Sequence, residues 1–222
     1  MPRFQTVLGL LMIICLSFAC TSKEAKPDKP LLQKSGDAKY GPYGTRASHV
    51  YMPLAINNGW TYKRFFLGEE GILNITILKK DEEGFYIDNK GGKLKNTWMG
   101  LRDDNRYMLQ APLEKGKQWR AHMRANTAEH FEIVADNETV EVPAGVFEHC
   151  LIVKSTTDYT VNARMTNSVT YAPNVGMIHM VTMLENSRGK KQKQVEFSLM
   201  KYNVKPEVVN FSTSVPAEEV KQ

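Results

Sequence analysis

Between residues 49 and 204 several segments carry apolar residues at every second position. No stretch of ~10 or more residues holds the spacing of an amphipathic helix. In "ILNITILKK", Leu73, Ile75 and Ile77 share one face and Asn74 and Thr76 the other. In "QVEFSL", Val195, Phe197 and Leu199 alternate with Gln194, Glu196 and Ser198, and "YTVNARMT" reads as a strand with Tyr159, Val161, Ala163 and Met165 on one side. Period two marks strands buried on one face, and sheets with one wet face are generally antiparallel. Without long helices a βαβ architecture is excluded, and its nucleotide-binding loops go with it.

Turn chemistry divides this region into hairpins. "DNKGGK" (88–93) supplies glycines that tolerate positive φ. In "VEVPAGVFEHC", Pro143 suits the second position of a type I turn, and Gly145 the left-handed residue that opens a bulged hairpin. "YAPNVGMI" repeats the device with Pro173, Asn174 and Gly176, and "ENSRGKKQKQ" is a further tip. The sum is a mainly all-β domain of about nine or ten strands joined by hairpins. A sheet that large curves strongly or approaches a barrel, so a single curved antiparallel sheet or open barrel is expected.

Two segments echo each other: "PLAINNGW" (53–60) and "PLEKGKQW" (112–119). Proline ends the preceding pairing because it lacks a ladder donor. Asn57 and Gly116 are the residue types that best accept a left-handed turn. Trp60 and Trp119 then open new strands and bury large rings. The echo therefore reads as a strand-entry device rather than a reactive site.

The ends have a different composition. Residues 1–19 pair Arg3 with an apolar run over 7–19, too short for a membrane span of ~20 residues and suited to a secretory signal peptide. "LSFAC" resembles a lipobox, which implies that Cys20 becomes the mature amino terminus and carries diacylglycerol and an amide-linked acyl chain such as palmitate. Several acyl chains hold a protein where one does so only marginally. Thr21 follows Cys20 where an aspartate would retain the protein at the inner membrane, which implies the outer membrane, facing the periplasm. Residues 20–48 are a lipidated terminus and Lys/Pro/Gly-rich linker, 49–204 the β-rich domain, and 205–222 a loose tail.

Local chemistry is sparse. The histidines show no HxH or HExxH spacing and the cysteines no CxxC, so no metal site, cofactor or catalytic constellation is read. In "FEHC", strand alternation puts His149 with Phe147, Leu151 and Val153, and Cys150 with Glu148, Ile152 and Lys154, which separates the two as a nucleophile pair. Cys150 stands either as a small buried hydrophobe or as a reactive thiol. The net charge of +5 is spread out, without a nucleic-acid motif. Arg188, Lys190, Lys191 and Lys193 group at one tip, either as a solvated turn or as a contact for anionic headgroups or an acidic partner. "GMIHMVTML" is apolar on both faces: Met177, Val181 and Met183 flank His179 on one, with Ile178, Met180 and Leu184 on the other. It is either a central strand or the wall of an apolar binding surface formed by Met177, His179, Met180, Val181 and Met183.

"PLxxGxxW", "VPAGVF" and "YAPNVGMI", in this order over roughly residues 50–203, resemble motifs of uncharacterised bacterial envelope lipoproteins with a domain of unknown function. The first motif departs in having Asn57 for glycine. The resemblance implies a fold similar to that of outer-membrane lipoprotein carriers, whose curved sheet cradles acyl chains, and it brings no catalytic residue. The function expected is that of a non-enzymatic, lipid-anchored envelope module binding a protein partner. The alternative is a carrier or sensor of a lipid or other apolar molecule on the concave face.

Overall fold

The computed structural model describes residues 32–33, 47–124 and 127–207. The signal segment, Cys20 and the carboxyl-terminal residues beyond 207 lie outside them, as does the linker apart from Leu32–Gln33 and Ala47–Ser48. The strands are β1 (Leu32–Gln33), β2 (Gly59–Phe66), β3 (Glu69–Lys80), β4 (Tyr86–Asp88), β5 (Lys93–Thr97), β6 (Gly100–Arg102) and β7 (Tyr107–Gln110). They continue with β8 (Gln118–Arg124), β9 (Thr127–Val142), β10 (Gly145–Thr160), β11 (Ala163–Ala172), β12 (Gly176–Asn186) and β13 (Lys191–Asn203). One short helix, α1 (Ser48–Tyr51), precedes β2.

Twelve of these strands follow one antiparallel path, β7-β6-β5-β4-β3-β2-β13-β12-β11-β10-β9-β8, and β1 pairs in parallel with β10. The path is a meander with one seam, where the first long strand, β2, pairs with the last, β13. The edge strands approach each other through side chains instead of a ladder. Trp119 on β8 donates its indole N–H to the Tyr107 carbonyl of β7 (2.9 Å), and Arg106 pairs with Glu129 of β9. The sheet is thus curled into a nearly closed barrel.

The thirteen strands among the described residues exceed the nine or ten expected. The surplus is β4 to β7, three to five residues each, too short to display alternation. The segment "YTVNARMT" is not one strand but a hairpin. β10 ends at Thr160, Val161 and Asn162 turn, and β11 begins at Ala163, so Val161 is fully exposed. Polar and apolar residues alternate through the turn by chance of sequence, which no period-two test can detect.

The core is filled from both ends of the sequence. Trp60, Tyr62, Ile77, Leu101, Leu109, Trp119, Phe131, Ile133, Leu151, Tyr171, Ile178 and Leu199 line its inside, and Trp119 stacks on Phe131 at 5.0 Å. Both tryptophans open strands as expected, and Asn57 (φ 70°) and Gly116 (φ 90°) take the left-handed conformations preceding them. Helix α1 plugs one end of the barrel. Tyr51 is fully buried there, and the Val50 carbonyl accepts a bond from Asn174 N (2.7 Å). Ser48, placed by composition at the end of the linker, is already a buried residue of this plug.

The plugged end is drawn tight by a bend in β10. Register slips between Phe147 and Cys150, between Cys150 and Ile152, and again before Val153. His149 sits at φ 56°, so the alternation assumed over 147–154 is broken and Cys150 and Leu151 are both fully buried. A bulge of this kind bends its strand and increases twist. Here it swings the Val142–Gly145 turn under the barrel until Ala144 N donates to Leu199 O of β13 (2.9 Å). Pro143 and Gly145 (φ 140°) form that turn, as the sequence indicates.

The plugged end is also where the segment before β2 meets the segment after β13. Buried Asn58 donates through Nδ2 to the carbonyls of Pro53 and Lys205 (3.0 Å each) and accepts from Lys205 N (2.8 Å). Glu207 accepts from Leu54 N (3.2 Å) and Asn96 Nδ2 (2.5 Å). Residues 205–207, assigned by composition to a loose tail, are therefore tied in place. The reason is that Asn58, being buried, must find partners for its amide.

Candidate functional site

The strand "GMIHMVTML" becomes β12, central in the sheet and half-buried for most of its length. A bulge at Ile178 divides the five proposed contact residues. Tyr171 pairs with Met177 and Thr170 with His179, so Ile178 is the extra residue and is fully buried. Met177 packs against the core, and its carbonyl accepts the hydroxyl of Tyr62 (2.9 Å). Met180 faces inward in register with Val169 and Phe197. His179, Val181 and Met183 face outward. The single face expected for Met177, His179, Val181 and Met183 does not form, because one extra residue shifts every side chain before it.

On the outer face His179 Nε2 lies 3.1 Å from Glu196 Oε1 of β13, and Lys193 reaches the other oxygen of Glu196. These bonds, that from Lys193 foremost, hold the Glu196 carboxyl below the usual range. The Lys193 ammonium also lies over the Phe65 ring (4.6 Å). On the same face Val181, Phe65 and Met183 are half-buried and Ile72 of β3 is 56% exposed, next to the Lys63–Glu70 ion pair. Ser198 stands opposite His179 in the β12–β13 register, but no hydrogen bond joins the two among the described residues.

On the inner face, Arg64 of β2 lies in register with Phe197, next to Met180. Its Nε is buried without a hydrogen-bond partner among the described residues, and the guanidinium lies 5.8 Å from the Phe66 ring centroid. Sequence reasoning passed over Arg64 because alternation had no reason to single out one basic residue of "TYKRFF". An inward ion pair, Arg106 with Glu129 and Asp103, belongs to the closure of the barrel.

The remaining candidates are structural. Cys150 is fully buried, and its thiol bonds the Phe147 carbonyl (3.3 Å). Burial pushes its pKa up to about 12, which leaves it protonated and unreactive. His149 bonds Asn137 Oδ1 through Nδ1 (2.6 Å) at the exposed bulge, away from the buried thiol. Gly176 (φ 111°) packs so closely that a Cβ would lie 3.1 Å from both Met52 Sδ and Trp60 Nε1. The Trp60 indole N–H donates to Val175 O (2.7 Å). No group of three or more His, Cys, Asp or Glu side chains converges to hold a metal among the described residues.

The basic residues Arg188, Lys190, Lys191 and Lys193 do come together at the β12–β13 tip. Lys191 is 3.6 Å from Glu185, Lys193 pairs with Glu196, and the other two have no ion pair among the described residues.

No family model matches the chain, and no curated protein does. Among solved structures, the crystal structure of a candidate lipoprotein from Parabacteroides distasonis ATCC 8503 is similar over 69% of this chain and 98% of that one. The identity is 12% and the TM-score 0.34, a likeness too slight to carry an argument.

Proposed function

We propose that the chain is a lipid-anchored lipoprotein of the bacterial envelope, held at the outer membrane through Cys20 and facing the periplasm, that works by binding a protein partner rather than by catalysis. The amino-terminal pattern and the ordered motifs support the location. The observation that carries the binding reading is the outer face of β12, β13, β2 and β3. There Ile72 stands 56% exposed near half-buried Phe65, Val181 and Met183, an apolar cluster bordered by Lys63 and Glu70.

A second reading rests on Arg64. A buried guanidinium nitrogen without a partner is costly to leave so, and beside Met180 and Phe197 it suits the anionic end of an apolar molecule. Native mass spectrometry of protein extracted gently from the envelope separates the two. The partner-binding reading expects an acylated Cys20 and no retained small molecule. An unmodified Cys20 would refute the anchor, and a retained anionic amphiphile lost on Arg64→Gln would favour the carrier.

A further inference from the structure

Antiparallel pairing sends the β2–β3, β10–β11 and β12–β13 hairpins to the same end of the barrel, opposite the α1 plug. The β10–β11 and β12–β13 tips are level and adjacent, and the β2–β3 turn sits beside β13 below them. Leu67 N donates to Gln194 O (2.8 Å), which seats the β2–β3 turn against β13. A depression of about 400 Å³, lined by Asp158, Val161, Arg164, Glu185 and Ser187 among others, joins the β10–β11 and β12–β13 tips.

The residues at the apices are the wrong ones for plain solvated turns. Leu67 is 62% exposed at φ 49°, followed by Gly68 at φ 99°. A turn with two left-handed residues favours Asn-Gly, and a leucine there is both strained and wet. Phe66 beside it is 44% exposed, and Val161 at the neighbouring tip is fully so. Strain kept where a better residue is available points to use. The third tip is basic. Arg188 and Lys190 stand at its apex, while Glu185 and Glu196 lie further down their strands and pair with Lys191 and Lys193. Asp158 is paired with Arg164 and Glu70 with Lys63, leaving Glu69 as the acidic residue at this end without an ion pair among the described residues.

We infer that this end of the barrel docks on an anionic membrane surface, with Phe66, Leu67 and Val161 entering the headgroup region and Arg188 and Lys190 meeting lipid phosphates. Single apolar residues projecting from separate turns suit a fluid surface, which closes around each of them. A protein interface of useful affinity needs a packed, continuous core instead. Basic residues at the β12–β13 tip, level with Val161 and further out than Leu67, match the charge of such a surface. This contact is independent of acylation at Cys20.

The test uses the chain from position 20 onward with Cys20→Ser, which retains every described residue. Its sedimentation with phosphatidylglycerol-containing vesicles is compared with that on phosphatidylcholine alone. The parent should bind the anionic vesicles, less so as salt rises. Leu67→Asn, which supplies the residue the turn favours, should lower binding about tenfold or more while the melting temperature stays equal or rises. Arg188→Gln with Lys190→Gln should weaken binding and flatten its salt dependence. Absence of parent binding to anionic vesicles would overturn the inference, as would full binding by Leu67→Asn. Tip variants that lose cross-linking to an envelope protein, with no vesicle binding by the parent, would assign the surface to an acidic protein instead.

Discussion

Replacing Asn58 tests the closure of the barrel most directly. Its side chain is 1% exposed and makes three hydrogen bonds, two to Lys205 and one to Pro53. Each bond contributes about 1 kcal/mol net, and a buried group left unpaired costs about 1–3 kcal/mol. Asn58→Ala removes all three bonds and strands groups of both Pro53 and Lys205, so a loss of ~3–5 kcal/mol is expected. With a urea m-value of ~2 kcal/mol/M, the midpoint falls by roughly 1.5–2.5 M, readable through the fluorescence of Trp60 nearby. Asn58→Asp adds a signature that cavity formation lacks. The carboxylate would face two carbonyl oxygens, which raises its folded pKa above the ordinary ~3.9. The penalty is then full at neutral pH and is relieved as pH falls through that raised value, where the acid can donate to one carbonyl. An Asn58→Ala loss under ~1 kcal/mol would refute the reasoning, as would an Asn58→Asp deficit that fails to shrink between pH ~7 and ~4.

Gly176→Ala should destabilise the domain by ~2–4 kcal/mol, because a side chain is strained at that φ and its Cβ would press on Trp60 and Met52. Thermal unfolding measures it, and a shift equivalent to less than ~1 kcal/mol would show that the turn relaxes freely. Burial raises the pKa of Glu207 above its ordinary value, against the lowering effect of Asn96 and Leu54. The carboxylate therefore costs stability at neutral pH, and the cost disappears as pH falls through the raised folded value. Glu207→Gln should abolish that gain on acidification; parallel pH–stability curves for parent and variant would contradict the assignment.

Long alternation made β3 and β13 legible, and glycines or asparagine at left-handed positions made the turns at Asn57, Gly116, Gly145 and Gly176 legible. What stayed hidden was non-local. The bulge at His149 and the one at Ile178 each insert a single residue, which reverses the faces of the residues beyond without leaving a mark in composition. That is why Met177, grouped with His179, Val181 and Met183 on one face, packs inward while the other three face out. Asn58 looked like one of two interchangeable asparagines in "INNGW", yet its neighbour turns the chain while it binds Lys205, a partner 147 positions away. The basic tip was visible as charge, but its meaning changes once Leu67 is found bonded to the strand that leaves it. Polar partners across such distances are set by the closed sheet, and no window along the chain contains both.

The seam between β2 and β13 governs when this domain can exist. Every other ladder of the antiparallel path joins strands consecutive in sequence and can form as the chain lengthens, while this one waits for the last strand. Loop closure over so long a separation is entropically costly and slow. A chain threaded across a membrane in an unfolded state would keep β2 and β12 as open edges until its final residues emerge, and open edges recruit other chains. Late closure would keep such a chain unfolded and threadable until then. It also makes loss of β13 the truncation most apt to leave two open edges for other chains to pair with.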